Sequence, residues 1–164
     1  MQAKNVFVSF LIGLIFWTLL NNTFDPFILA IGAGLSLLLS LIFCARCDVF
    51  SELKLTPVAL LYTGIYLVVF LYELIKSNLD VARRVITPSL PINPGIVEVK
   101  TRLQSKMGRM ILANSITLTP GTLTIDICGD TLYIHWIDVK TEDTQEATEK
   151  IVRKFEKYLE KIYG

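Results

Sequence analysis

Four places in the chain carry residue types that could do chemistry. Glu73 lies in the apolar run Leu67-Val68-Val69-Phe70-Leu71-Tyr72-Glu73-Leu74-Ile75, where a carboxylate is the usual element of a proton path. It is near the end of that run, with Tyr72 beside it and Lys76 three residues on, so the less costly arrangement takes it to the interface and pairs it with the lysine. Cys44-Ala45-Arg46-Cys47 has redox spacing. Thioredoxin-like chemistry needs that motif at a helix start beside a βαβ unit, whereas here it ends an apolar helix, and one pair cannot complete a tetrahedral metal site. His135, the single histidine, alternates to the same strand face as Tyr133 and reads as structural or partner-facing. Cys128 is a strand residue, and three cysteines give no disulfide framework. With no Walker A segment, no G-x-G-x-x-G and no nucleophile signature, the expectation is a protein without catalytic residues, cofactor or metal site.

The elements that position these residues come from composition. Hydrophobic residues make up 52% of the 164 and charged ones only 19%, with a mean hydropathy of +0.53, too apolar for a soluble domain. A formal charge of +1 argues against a nucleic-acid binder. Charge is also unevenly spread: residues 1–75 hold three Lys/Arg and four Asp/Glu, and the remaining thirteen and eleven follow. Three apolar stretches, Val6 to Leu20, Phe27 to Ala45 and Pro57 to Ile75, lie near the length that crosses about 30 Å of hydrocarbon. Asn21-Asn22-Thr23-Phe24-Asp25-Pro26 has the chemistry of a tight helical hairpin, and Thr56-Pro57 that of an N-cap and first turn. No small-x-small cleavage site follows the first stretch, which is read as retained. Three full spans would place the two ends of the chain on opposite sides, and a shallow or re-entrant first hairpin would place both inside.

The chain thus divides into a transmembrane helical module (1–76) with two to three transmembrane or re-entrant helices, a juxtamembrane amphipathic segment and proline-rich linker (77–93), and a water-facing α+β domain (94–164). Within the last, the pattern predicts strand Ile96 to Leu103, helix Lys106 to about Ile116, strands Thr122 to Cys128 and Thr131 to Val139 joined by Gly129-Asp130, and helix Asp143 to Ile162. On that final helix Ala147, Ile151, Phe155, Tyr158 and Ile162 form an apolar stripe, with Glu149, Arg153, Lys154, Glu156 and Glu160 largely away from it. The order β-α-β-β-α gives a small sheet covered by helices on one face.

Two further segments are candidates for contact with partners. Gly32, Ser36 and Ser40 repeat every four residues on the second helix, and small residues at that spacing let helices approach closely in lipid, either within the chain or against another subunit. Thr117, Thr119, Pro120, Gly121 and Thr122 surround a tight turn where hydroxyls can bond loose helix-end carbonyls or a neighbouring surface.

The run Leu112-Ala113-Asn114-Ser115-Ile116-Thr117-Leu118-Thr119-Pro120-Gly121-Thr122-Leu123-Thr124-Ile125-Asp126 closely resembles the hallmark segment of the E subunit of Mrp/Mnh-type multisubunit Na⁺/H⁺ antiporters. Trp17-Thr18-Leu19-Leu20, Leu74 to Ala82, Pro94-Gly95-Ile96-Val97 and Leu132 to Asp138 recur in the same order, so the resemblance covers nearly the whole chain. It implies an accessory or assembly subunit of an inner-membrane complex that exchanges Na⁺ for H⁺, in contact with the other subunits and the lipid bilayer, with a cytoplasmic C-terminal domain. A membrane-bound hydrogenase or related complex I-like complex is the alternative host, and a stand-alone membrane adaptor or regulator the alternative of another class.

Overall fold

The computed structural model describes residues 3–44, 52, 54 and 56–164. These form two compact units, Met1–Leu53 and Lys54–Gly164.

The first unit is a helical hairpin of α1 (Ala3–Asn21) and α2 (Pro26–Cys44). Each has 19 residues, about 28 Å of helix against about 30 Å of hydrocarbon. Asp25 caps α2 by accepting from the backbone N–H of Phe27 (2.8 Å) and Ile28 (3.2 Å), ahead of Pro26 at the first helical position. The Trp17 indole donates to the Ile28 carbonyl at 3.0 Å and lies over Gly32, where a Cβ would come within 2.2 Å of the ring. Ser36 lies against Gly13, and the buried Ser40 donates to the Ser36 carbonyl at 2.6 Å. Within the hairpin, Gly32 thus makes room for an aromatic ring and Ser36 meets Gly13, the intramolecular one of the two contacts the spacing allows. Cys44 ends α2, and Cys47 lies outside the described residues.

The second unit begins with α3 (Pro57–Ile86). Thr56 accepts from the Ala59 N–H at 3.2 Å and Pro57 takes the first position, as the sequence predicts. The amphipathic segment after Ile75 continues the same helix without a break. It ends where Thr87 donates to the Arg84 carbonyl at 3.2 Å, ahead of Pro88. Hydropathy places a boundary near residue 76, whereas packing places it at 53/54, because α3 is folded together with the domain that follows.

That domain comprises β1 (Gly95–Lys100), α4 (Lys106–Leu118), β2 (Thr122–Cys128), β3 (Thr131–Trp136), α5 (Thr144–Ile151) and α6 (Arg153–Tyr163). The sheet is antiparallel in the order β1-β3-β2, with an irregularity between Thr124 and Asp126. Its inner face, Val97, Val99, Leu132 and Ile134, packs with Leu112, Ile116, Ile151, Phe155 and Leu159 into one buried core. Gly129 takes φ +62° in the β2–β3 turn, the left-handed region a two-residue hairpin needs.

Three boundaries differ from the sequence pattern, two of them where a polar group is taken up by a distant partner. The Glu156 carboxylate, expected largely away from the apolar stripe, is 1% exposed. It accepts from the Arg102 N–H at 2.7 Å and the Thr101 hydroxyl and pairs with Arg153, so β1 leaves the ladder after Lys100. The β3 ladder stops at Trp136 because Asn93 of the linker donates to the Ile137 carbonyl at 3.1 Å and accepts from Val139 at 2.8 Å. The last helix is divided at Val152, whose φ −91° and ψ −51° remain helical.

The hairpin contact makes a prediction. Gly32→Leu should destabilise the protein by about 2 kcal/mol or more through overpacking against Trp17, read as earlier thermal unfolding in detergent. Combining it with Trp17→Ala should cost less than the sum of the two single changes. Strict additivity would show that the glycine does not serve the indole.

Candidate functional site

Within the second unit a cleft of about 510 Å³ opens between the polar side of α3 and the turn that joins α4 to β2. Two ion clusters bound it. At one end Glu73, its side chain 14% exposed, accepts from Lys154 of α6 at 2.9 Å and has Lys76 at 3.8 Å. The local lysine of the sequence reading is present, and the shorter bond comes from 81 residues away. At the other end Arg84 donates to Asp80 at 2.7 Å, to Asp138 at 2.6 Å and to the Pro91 carbonyl at 2.6 Å, while Lys140 also pairs with Asp138. Lys140 first and Arg84 next hold the Asp138 carboxyl below its usual range, against burial. Asp80 and then Asp138 keep the Arg84 guanidinium charged beyond its already high pKa.

The threonine-rich turn lines the cleft between these clusters. The turn's threonines add hydroxyl bonds to carbonyls of the last turns of α4. The Thr119 hydroxyl donates to the Ser115 carbonyl at 2.6 Å, that of Thr122 to Ile116 at 2.7 Å and that of Thr124 to Ala113 at 3.1 Å. Thr117 accepts from the Thr124 N–H at 3.1 Å. Pro120 leads into Gly121 at φ +93°, where an added Cβ would lie 3.1 Å from Ile137 Cγ2. Thr119 is buried, and Thr117 remains at the surface.

The structure thus gathers Glu73, Thr119, Pro120, Gly121 and Thr122 at one cleft, and leaves Gly32, Ser36 and Ser40 in the separate hairpin. His135 stands between Ile96 and Leu123 on the sheet face turned away from the core, in the row beside Tyr133. Cys128 is exposed, and the Asp126 carboxylate it points to pushes its thiol up, away from the reactive thiolate. Among the described residues no three His, Cys, Asp or Glu side chains converge as metal ligands. Sequence reasoning missed Asp138, Lys140 and Lys154. Their signal was present only for Arg84, a basic residue on the polar side of an amphipathic helix, which needs an acid.

What the cleft does chemically is hold. Each carboxylate in it faces at least one cation, and the turn's hydroxyls are bound to backbone. A carboxyl whose folded-state pKa is depressed contributes stability above its unfolded value near 4 and loses it as pH falls through the folded value. Asp138→Asn should therefore lower the unfolding temperature most at neutral pH, and the gap from the parent protein should close below about pH 4. A gap constant from pH 7 to pH 3 would remove the ion cluster from the account.

Comparison with known proteins places this architecture. The model of a family described as Na⁺/H⁺ ion antiporter subunit matches residues 10–162. Na(+)/H(+) antiporter subunit E1 of Staphylococcus aureus strain JH9 is 35% identical over 163 residues, 93% of this chain and 97% of that protein. The same subunit of strain bovine RF122 / ET3-1 is 32% identical over equal shares. A chain of the membrane-bound sulfane sulfur reductase (MBS), an archaeal respiratory membrane complex, superposes with a TM-score of 0.83 at 45% identity, covering 94% of this chain and 96% of that one. Agreement over nearly the full length, spanning the hairpin, the threonine turn and the final helices, means that the chain belongs to the Na⁺/H⁺ ion antiporter subunit family.

Proposed function

We propose that this protein is the accessory and assembly subunit of a multisubunit monovalent cation/proton antiporter in the cell membrane, and that the transported Na⁺ and H⁺ pass through other subunits. The near end-to-end match to proteins named antiporter subunit E1 carries the reading. The cleft supports the accessory part. A proton carrier must exchange partners along a path, and Glu73 is instead clasped by Lys154 and Lys76 beside a turn whose hydroxyls close a helix end. Of the turn, Thr117 and Leu118 face outward and are the part available to a neighbouring subunit.

A second reading has its own support. The 45% identity to a chain of the sulfane sulfur reductase complex favours the equivalent subunit of a hydrogenase-type or related complex I-like energy-converting complex. Affinity purification from the native membrane separates the two by what comes with the chain, antiporter subunits or redox subunits. A stable, monodisperse protein without partners would replace both with a stand-alone adaptor. In the purified antiporter, Glu73→Gln should leave cation-dependent proton transport within about twofold of the parent complex. Its abolition in an assembled complex would make Glu73 a proton carrier.

The domain formed by residues 94–164 lies, in this proposal, in the cytoplasm. Three cysteines without a framework and the basic residues Lys76, Arg83 and Arg84 near the membrane support that side. With Cys44, Cys47 and Cys128 replaced by serine, a single cysteine next to Gly164 should resist a membrane-impermeant thiol reagent in intact cells and react in inverted vesicles. Labelling in intact cells would put the domain outside.

A further inference from the structure

We infer that α3 does not cross the bilayer but lies in its surface, with the domain on one side of the helix and lipid acyl chains on the other. By length and hydropathy Pro57–Ile86 qualifies as a span. Hydropathy counts residues, however, and not faces.

The inner face decides the matter. Tyr62, Tyr66 and Phe70 pack on the domain core, with Phe155 of α6 at ring-centroid distances of 6.5 Å from Tyr66 and 6.4 Å from Phe70. Glu73 bonds Lys154, and Arg84 bonds Asp138. From Tyr62 to Arg84 the domain therefore follows α3 for about 33 Å at 1.5 Å per residue, the whole depth of a hydrocarbon core of about 30 Å. A transmembrane α3 would carry α6 into lipid beside it, with Lys157 and Lys161 exposed on its outer side. Charged side chains exposed there are costly in hydrocarbon.

The outer face has the composition of a lipid contact. Leu61, Val68, Leu71, Ile75, Leu79 and Ile86 are each more than half exposed and lie opposite Tyr66 and Phe70 on the helix wheel. No charged residue falls among them. They are branched and bulky, not the small residues that let a second membrane helix pack closely. Lys76 and Arg83 stand exposed along one flank, and Lys76 lies 5.9 Å from the Tyr72 ring centroid, an arrangement that places cations and an aromatic at the level of anionic headgroups. The same chain supplies two 19-residue apolar helices just ahead of α3, which hold it at the membrane.

The consequence is topological. The two ends of α3 lie on one side of the membrane, so only α1 and α2 can cross, and the domain sits on the side from which α2 emerges into α3. This holds whichever complex hosts the chain and whichever side that is. The test uses the protein in its native complex with Cys44, Cys47 and Cys128 replaced by serine. Single cysteines at Lys54 and at Ser89, one beyond each end of α3, should react with an impermeant thiol reagent from the same side. A polarity-sensitive dye on Leu71→Cys, midway along the outer face, should be quenched more by lipids bearing a nitroxide near the headgroup than by lipids bearing it at the chain end. Labelling of Lys54→Cys and Ser89→Cys from opposite sides, or stronger quenching from the chain end, would restore the span. Absence of quenching by either lipid would mean that protein, not lipid, covers the face, and would overturn the proposal equally.

Discussion

The seating of Tyr66 and Phe70 on Phe155 is the contact on which the second unit depends. Aromatic pairs of this kind contribute about 0.5–1.5 kcal/mol each beyond the area they bury. They also commit one side of a 30-residue apolar helix to a domain rich in charge. The Tyr66 hydroxyl would be costly to bury alone. It meets the Ser115 hydroxyl, which in turn donates to the Ile111 carbonyl at 2.6 Å, so the polar ends of the contact are satisfied inside α4. One helix thereby acquires two incompatible environments on opposite faces, and the rest of the unit is arranged around that difference.

The threonine-rich segment serves the same contact from below. Ser115 lies three residues before the end of α4, where the hydroxyls of Thr119 and Thr122 add bonds to the carbonyls of the last turn. Gly121 then turns the chain at a φ that other residues adopt only under strain, bringing β2 beside Trp136 and Ile137. In this stretch Thr119, Gly121, Thr122 and Thr124 each meet a local geometric demand.

Local signals were legible in the sequence and distant partners were not. The Asp25-Pro26 and Thr56-Pro57 helix starts, the Gly129-Asp130 hairpin and the β-α-β-β-α order all follow from residues within a few positions of one another. Glu156 looked like a solvated charge because its partners, Thr101 and Arg102, are more than fifty residues away. At Gly32 a small side chain signals close approach without naming what approaches, and within the hairpin the ring of Trp17 lies over it. Glu73 fell between these cases: the sequence supplied Lys76 one turn away, and the fold added Lys154. The candidate cleft was readable as separate pieces, and only the antiparallel run of α3 along α6 brought them together.

The contacts along α3 also settle its rotation about its own axis. Tyr66, Phe70, Glu73 and Arg84 share one side, and a roll by a single residue, about 100°, would withdraw all four from their partners at once. Rolled one way it would bring Leu67 toward the core in their place, and rolled the other way Lys76. Ion pairs at a surface contribute little individually, about 0–1 kcal/mol, but here they flank an aromatic contact at two further points on the same helix and resist rotation that the aromatics alone resist only near the middle. The orientation of the outer stripe is therefore inherited from the inner one. Which residues α3 turns outward is decided by the core of the domain, through the periodicity of one helix.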